Sequence, residues 1–337
     1  MSPEDSDTKD LDQKDLIRRS AIFYGAKPAV VCKDQRLSFR EVDERANRLA
    51  NGLKDLRVLS GMKVATLAGN CLQYAEIEFG LIKGALPQLT LNPRLKGHEL
   101  VFQINDAEAD VLLFQHHYLE TVESIRHALT TVKHFISFEG QAHGCLDYEQ
   151  LLSSASPEEP DLKLPLNKLG ELRYTSGTTG SPKGIMLPYR SKAAVTRNLL
   201  LDVLPHLTSE DRWLAVQPLY HGAGWFMLPV WTKGITQFVV RDYEPQTVFE
   251  VIAKERITAI KTIPTLILRL LDSPLRKKYD IRSLHTIIYG GEPMPISKLK
   301  EAMEVYEKLM EKYPDKNDYY LRKISEIKSN IDPPAAD

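Results

Sequence analysis

YTSGTTGSPKG, residues 174–184, is the stretch of sequence that decides the fold. Its glycines let backbone N–H groups turn toward one point and leave room for a bulky anion. Threonine and serine hydroxyls add donors, and Lys183 adds a mobile positive charge. This set of groups suits the β- and γ-phosphates of ATP. The spacing is not that of the P-loop NTPases, because Pro182 stands where their pattern has glycine, and the alternative is a flexible surface loop.

Short apolar strands alternate with amphipathic helices on both sides of this stretch, which is called the phosphate loop below. Ser38 is predicted to cap a helix that runs to about Leu56, and Lys63–Ala68 and Asp110–Phe114 are predicted strands. Continuous apolar strands between amphipathic helices indicate a parallel sheet that is covered on both faces. The strand Glu171–Tyr174 is expected to lead directly into the phosphate loop, and a helix is expected to follow the loop.

The predicted fold class is α/β, with two mostly parallel-sheet subdomains and a helical C-terminal tail. A stretch rich in serine, proline and glutamate supplies the boundary between the subdomains. The predicted divisions are a disordered N-terminus at 1–10, a first subdomain at 11–152, a linker at 153–170, a second subdomain at 171–306 and the tail at 307–337.

Composition and charge exclude several classes of protein. Lysine and arginine number 44 against 45 aspartates and glutamates, so nothing in the balance points to nucleic acid or to an anionic membrane. The most apolar stretch, Trp213–Trp231, is interrupted by polar residues and glycines and is expected to be a buried pocket wall instead of a membrane span. Three scattered cysteines without metal-binding spacing predict reduced thiols in a cytoplasmic protein.

Four further segments occur in a fixed order around the phosphate loop. They are LSFREV with ANRLA at 37–50, QPLYHGAG at 217–224, IPT at 263–265 and YGGEPMP at 289–295. Together with the phosphate loop, they make the chain resemble the adenylate-forming superfamily, and its fatty-acyl and aryl CoA synthetases most of all. The resemblance runs from about residue 12 to about residue 306.

The resemblance implies ATP-dependent activation of a fatty or aromatic carboxylic acid, followed by transfer of the acyl group to coenzyme A. It implies catalytic roles for Thr178 and Lys183 and a Mg²⁺ contact for Thr178. The residues expected to hold the nucleotide are Thr175, Ser176, Gly177, Thr178, Thr179, Gly180 and Lys183 at the phosphates, and Gly290, Gly291, Glu292 and Pro293 at the adenine. His221 and Gly222 are expected to border the acyl group.

Each of these assignments has an ordinary structural alternative. A Gly-Gly turn after a strand is common. Gly290 and Gly291 indicate an adenine site only because the phosphate loop precedes them in the sequence. A lone histidine such as His221 is more often a packed core residue than a catalyst, so we expect a pocket wall and no general base. The pair His116-His117 does not share one face of a helix or strand, so we expect a solvated helix start and no metal site.

The chain departs from the superfamily pattern after Tyr306. The strand ending in Tyr-Gly-x-Thr-Glu, the Thr-Gly-Asp aspartate at the ribose and the C-terminal domain with its lysine do not follow in this sequence. We therefore expect weakened ATP binding and very poor turnover. A binding module without turnover and a protein-interaction fragment stay open as alternatives. The tail could support self-association, since Ala302, Tyr306, Leu309 and Pro314 have the spacing of a tetratricopeptide helix; the other reading is a helical end packed on the core.

Overall fold

A computed structural model of the chain describes residues 12–175 and 182–312, together with the single positions Leu321 and Ser325. The described residues divide into two compact units. The larger contains residues 12–261 and Leu275–Ile287, and the smaller contains Thr262–Pro274 and the residues from Ile288 onward. The predicted disordered N-terminus and almost all of the tail beyond Lys312 lie outside the described residues.

One sheet has seven strands. Their bounds are β3 Lys63–Leu67, β4 Gln88–Leu91, β5 Ala109–Gln115, β6 His134–Phe138, β7 Leu146–Asp147, β8 Leu169–Thr175 and β9 Lys183–Pro188. The strand order is β7-β6-β5-β3-β4-β8-β9. All neighbours are parallel except β8 and β9, which are antiparallel.

The second sheet has six strands. Their bounds are β1 Pro28–Cys32, β2 Gln35–Ser38, β10 Arg212–Ala215, β11 Thr236–Val239, β12 Ala259–Thr262 and β13 Thr286–Tyr289. The strand order is β13-β12-β10-β11-β1-β2. The pairs β1–β11, β10–β11 and β10–β12 are parallel, and β2 returns antiparallel to β1.

Eleven α-helices connect and follow the strands within the described residues. They are α1 Gln13–Tyr24, α2 Phe39–Asp55, α3 Gln73–Lys83, α4 Gly97–Asp106, α5 Leu119–Ile125, α6 Tyr148–Ser154, α7 Tyr189–Asn198, α8 Met227–Thr232, α9 Pro245–Glu255, α10 Pro264–Asp272 and α11 Ile296–Lys312. Local sequence sets several helix starts. Ser38 and Glu41 form a capping box at α2, and proline at the first position of α9 and α10 supplies a backbone angle already suited to a helix.

The core of the seven-stranded sheet explains its parallel strands. Ala65, Leu67, Leu89, Leu112 and Phe114 are buried on β3, β4 and β5 and pack against apolar side chains of the covering helices. Strands that are buried on both faces carry continuous apolar runs, which is the pattern that the sequence shows. The predicted α/β class with two largely parallel sheets is confirmed.

Sheet membership does not follow chain order. The early strands β1 and β2 lie in the six-stranded sheet with β10–β13, whereas β8 and β9 complete the seven-stranded sheet. The domain boundaries predicted at the linker, 153–170, stay a prediction. The predicted tail boundary at residue 307 falls within α11, which runs without interruption from Ile296 to Lys312.

The expected strand–loop–helix arrangement at the phosphate loop is wrong. The strand β8 does precede the loop, but the chain returns as the antiparallel strand β9, and α7 begins only at Tyr189. The physical reason is the short connection. Seven residues can close an antiparallel pair, whereas a parallel return needs a crossover of about a dozen or more.

Two further observations concern the described part of the chain. No helix there is long and apolar enough to cross a membrane. Cys32, Cys71 and Cys145 are free thiols, and the first two are buried.

Candidate functional site

The two ends of the phosphate loop lie side by side in the larger unit. Thr175, the last residue of β8, is paired with Lys183, the first residue of β9. Both side chains are exposed. Residues 176–181 lie outside the described residues, so the predicted contacts of Ser176, Gly177, Thr178, Thr179 and Gly180 stay predictions. The paired strands fix where the loop leaves and re-enters the sheet.

The segment Gln217–Gly224 follows β10 and carries His221. The chain makes an irregular turn over Leu219–Ala223, in which His221 has a non-helical backbone conformation. Its side chain is exposed, while Leu219, Tyr220 and Ala223 are buried. Gly224 permits this turn, because a Cβ atom there would lie 2.3 Å from the backbone oxygen of Leu219. The exposed imidazole of His221 therefore belongs to a turn whose other side chains are tightly packed.

Two cations act on His221. Partial burial lowers the pKa of His221, and the positive charges of Arg173 and Arg94 lower it further. The imidazole is therefore neutral at pH 7 and can donate or accept a hydrogen bond without carrying charge. This state suits contact with a polar group of a ligand, and the predicted role of His221 and Gly222 at an acyl group remains a prediction.

Arg173 belongs to a cluster of charged side chains that the sequence analysis missed. Its Nε donates to Glu171 Oε1 at 2.5 Å, and its guanidinium lies 5.0 Å from the ring centre of Trp225. Lys192 Nζ lies 2.8 Å from Glu78 Oε1 and 3.9 Å from Glu171 Oε2. One signal was available, since Glu171 and Arg173 are two apart on a strand and so share one face.

Burial and pairing change the pKa values of Glu78 and Lys192 in this cluster. Burial raises the pKa of Glu78, and Lys192 beside it offsets that shift only in part. Burial opposes the charge of Lys192, but Glu78 and Glu171 outweigh it and raise the pKa of the ammonium. The pairing therefore keeps Lys192 charged beneath the segment that bears Trp225.

The predicted adenine turn lies in the smaller unit, directly after β13. Gly291 has a φ of +96°, which favours glycine, and no atom lies within 4 Å of the position of a Cβ on Gly290. Glu292 Oε1 accepts hydrogen bonds from the backbone N–H of Thr265 at 2.8 Å and from its hydroxyl at 2.5 Å. These two bonds lower the pKa of Glu292.

Two segments that the sequence analysis singled out are thus joined. Thr265 ends the segment Ile263–Thr265, and Glu292 belongs to the turn after β13. Pro293 is exposed beside Glu292, and Gly290 and Gly291 before them carry no side chain. A flat ligand could lie against such a surface. Gly290, Gly291, Glu292 and Pro293 remain predicted adenine contacts.

No group of three or more histidine, cysteine, aspartate or glutamate side chains is placed to hold a metal ion in the described ranges 12–175 and 182–312. His116 and His117 lie in a short 3₁₀ turn directly before α5, as expected for a helix start, but only His117 of the two is exposed. Thr178, the predicted Mg²⁺ contact, is outside the described residues.

Comparison with known proteins identifies the family. Residues 17–313 match the model of the AMP-binding enzyme family. The chain belongs to this family. It is 32% identical over 299 residues to a long-chain-fatty-acid–CoA ligase of Thermus thermophilus, a match that covers 86% of the chain and 54% of the relative. It is 33% identical over 261 residues to a feruloyl-CoA synthase of Amycolatopsis, covering 77% and 50%.

Solved structures of the AMP-binding family share the fold. The anthranilate CoA ligase AuaEII in complex with anthranoyl-AMP matches with a TM-score of 0.80 and 25% identity, over 86% of this chain and 57% of that one. The N-terminal domain of FACL13 from Mycobacterium tuberculosis matches with a TM-score of 0.79 and 24% identity, over 86% and 72%. The chain spans about half the length of the curated relatives that it matches.

Proposed function

We propose that this chain forms the acid- and ATP-binding part of an acyl-CoA ligase. In this reaction a carboxylate attacks the α-phosphate of ATP, pyrophosphate leaves, and the acyl group passes from the adenylate to the thiol of coenzyme A. The observation that carries the proposal is the family match over residues 17–313, which includes the phosphate loop and the turn after β13.

Different residues are proposed to bind the phosphates and the adenine of ATP. Lys183, with Thr175 paired beside it, meets the charge of the leaving pyrophosphate together with the loop hydroxyls. Because little covalent work falls to the protein in phosphoryl chemistry, positioning and neutralisation of charge supply most of the rate. The Gly290–Pro293 turn holds the adenine. Thr178 stays the predicted Mg²⁺ contact.

The proposed acid is a fatty or an aromatic carboxylic acid. Both classes occur among the relatives, since one is named a long-chain-fatty-acid–CoA ligase and another a feruloyl-CoA synthase. The neutral His221 and the cations Arg173 and Arg94 support an anionic ligand beside this segment. An aromatic acid would also find the exposed face of Trp225, which is 37% accessible.

The test is pyrophosphate release with a panel of acids. The 337-residue chain is incubated with ATP, Mg²⁺ and dodecanoate, octanoate, ferulate, benzoate or anthranilate, and calorimetry measures ATP binding in parallel. We expect ATP binding that weakens about tenfold or more in Lys183→Ala, because a charge-assisted contact to phosphate is lost. Lys133→Ala is the control, since Lys133 is an exposed lysine on another part of the fold.

Two outcomes separate the candidate functions. Acid-dependent pyrophosphate release that disappears in Lys183→Ala supports a ligase, whereas Lys183-dependent ATP binding without release supports a nucleotide-binding module. Equal ATP affinities of the parent and Lys183→Ala would contradict both functions.

A further inference from the structure

Asn70 connects the two sheets through its side chain. It lies in the turn between β3 and α3 and is 6% exposed. Its Nδ2 donates to the backbone oxygens of Gln217 at 3.0 Å and Val240 at 2.9 Å. Its Oδ1 accepts from the backbone N–H of Leu219 at 2.8 Å. Every one of these partners belongs to the chain that follows β10 or β11 of the six-stranded sheet.

These hydrogen bonds act on the start of the segment that carries His221. The Asn70 side chain contacts the residues on both sides of Pro218, so it fixes where the irregular turn over Leu219–Ala223 begins. Within the turn, the His221 N–H donates to the Pro218 oxygen at 3.1 Å. A shift at Leu219 would also move the backbone oxygen against which Gly224 packs.

The amide of Gln115, which bonds the backbone next to Asn70, is already engaged. It accepts from the Gly69 N–H at 3.2 Å and donates to Glu139 at 2.7 Å. Only an amide side chain offers two donors and an acceptor in one plane. Without it, two buried carbonyl groups and one N–H group would lose their partners, which is costly inside a protein.

We propose that Asn70 is the positioning residue of the acid-binding segment. It holds Gln217–Gly224 in place, so that His221 and Gly222 face the acyl group of the ligand. The identity of the ligand rests on the proposed function. The placement of the segment by Asn70 does not, and it is tested separately.

The first experiment measures hydrogen exchange by mass spectrometry on the whole chain. In Asn70→Ala, we expect the peptide around residues 217–223 to exchange about tenfold faster or more, because the Leu219 N–H loses its acceptor. In Asn70→Asp, the acceptor remains, so this peptide should keep more of its protection than in Asn70→Ala. The comparison between the two variants depends on no ligand and no activity.

Asn47→Ala is the matched control. Asn47 is 5% exposed, and its side chain also bonds a distant backbone oxygen, that of Pro157 at 2.9 Å. We expect this variant to lose stability without faster exchange around residues 217–223. Equal exchange of that peptide in the parent and both Asn70 variants, or equal acceleration by Asn47→Ala, would overturn the proposal.

The second experiment measures ligand binding. The probes are sulfamoyl adenosines that carry a dodecanoyl or a benzoyl group and mimic an acyl-adenylate, and ATP is the comparison. We expect Asn70→Ala to weaken the better probe about tenfold while ATP affinity changes less than about threefold, because the Asn70 side chain bonds the backbone of Gln217, Leu219 and Val240. If Asn70→Ala does not fold, the same comparison is made with Asn70→Ser.

The two experiments fail in different ways. Faster exchange at 217–223 with no probe binding even by the parent would refute the proposed acid-binding function, and Asn70 would then position the segment for something else. Probe and ATP affinities that fall equally in the Asn70 variant would refute its specific positioning of the acid segment.

Discussion

Lys83→Met tests how much the buried ion pairs of Lys83 contribute to the stability of the fold. Lys83 is fully buried at the end of α3. Its Nζ lies 2.7 Å from Asp43 Oδ1, donates to Asn47 Oδ1 at 2.6 Å and contacts the carboxylate of Glu159. Methionine keeps the length and apolar stem of the side chain but removes the charge. The change therefore isolates the electrostatic contribution.

The expected loss is about 3 kcal/mol in the free energy of unfolding. Removing one partner of a buried ion pair typically costs about 3–5 kcal/mol, since an uncompensated charge is left behind. The lower end applies here. The Glu159 side chain is 28% exposed, and Lys14 Nζ lies 3.7 Å from it and still offsets part of its charge. Asp43 is 16% exposed and carries most of the penalty.

The loss should depend on pH. Burial raises the pKa of Asp43, Lys83 lowers it, and Glu159 raises it again, so removing Lys83 raises it further. A carboxyl whose folded pKa lies above its unfolded value binds more protons in the folded state. Stability then falls as pH rises through that window. The deficit of Lys83→Met should therefore be smaller near about pH 5 than near about pH 8.

Urea unfolding followed by circular dichroism measures both effects. Lys133→Met is the control, because the Lys133 side chain is 62% exposed and Asp110 keeps a hydrogen bond from the Lys63 N–H at 3.1 Å. Ion pairs with an exposed partner contribute about 0–1 kcal/mol. Adding Asp43→Asn to Lys83→Met should recover part of the loss and remove most of the pH dependence. A deficit below about 1 kcal/mol, or one that does not change with pH, would refute the assignment of a buried charge penalty.

Two further predictions concern the segment around His221. Arg173→Met should raise the pKa of His221 by removing a nearby cation, as measured by NMR titration of the imidazole, and an unchanged or lower pKa would contradict the geometry. Gly224→Ala should lower the free energy of unfolding by about 1–3 kcal/mol, because its Cβ would meet the Leu219 oxygen. Gly222→Ala is the control: among the described residues other than its chain neighbours, no atom lies within 4 Å of its Cβ, so urea unfolding should show a change within about 0.5 kcal/mol.

Local patterns in the sequence predicted most of the elements. Ser38 and Glu41 predict the start of α2. The apolar run Asp110–Phe114 predicts β5, and the strand extends one residue further at each end. The predicted strand Lys63–Ala68 corresponds to β3, which ends one residue earlier at Leu67. In each case a cap or a continuous apolar run within a few residues carries the information, so no distant partner was needed.

The misses all depend on pairing partners that the local sequence pattern does not show. The strand β9 has four exposed residues and no clear alternation, and only its ladder with β8 makes it a strand. The Lys192–Glu78 pair joins two helices that are far apart in sequence. The predicted linker shows the same limit, since Asn51 Nδ2 donates to the backbone oxygens of Ser156 and Glu158, both at 2.9 Å. The composition of residues 153–170 indicates a loop, but it does not show which hydrogen bonds hold that loop in place.

Each predicted site segment begins at the carboxyl end of a strand, which explains why the sequence could locate these segments without their contacts. Thr175 ends β8, Gln217 follows β10, Ile263 follows β12 and Gly290 follows β13. Chains leaving the carboxyl ends of strands in α/β sheets form the usual ligand sites, and glycine and proline mark those exits in the sequence. Asn70 leaves β3 in the same way. It carries no such mark, because its role depends on backbone groups about 150 residues away, which a single sequence does not display.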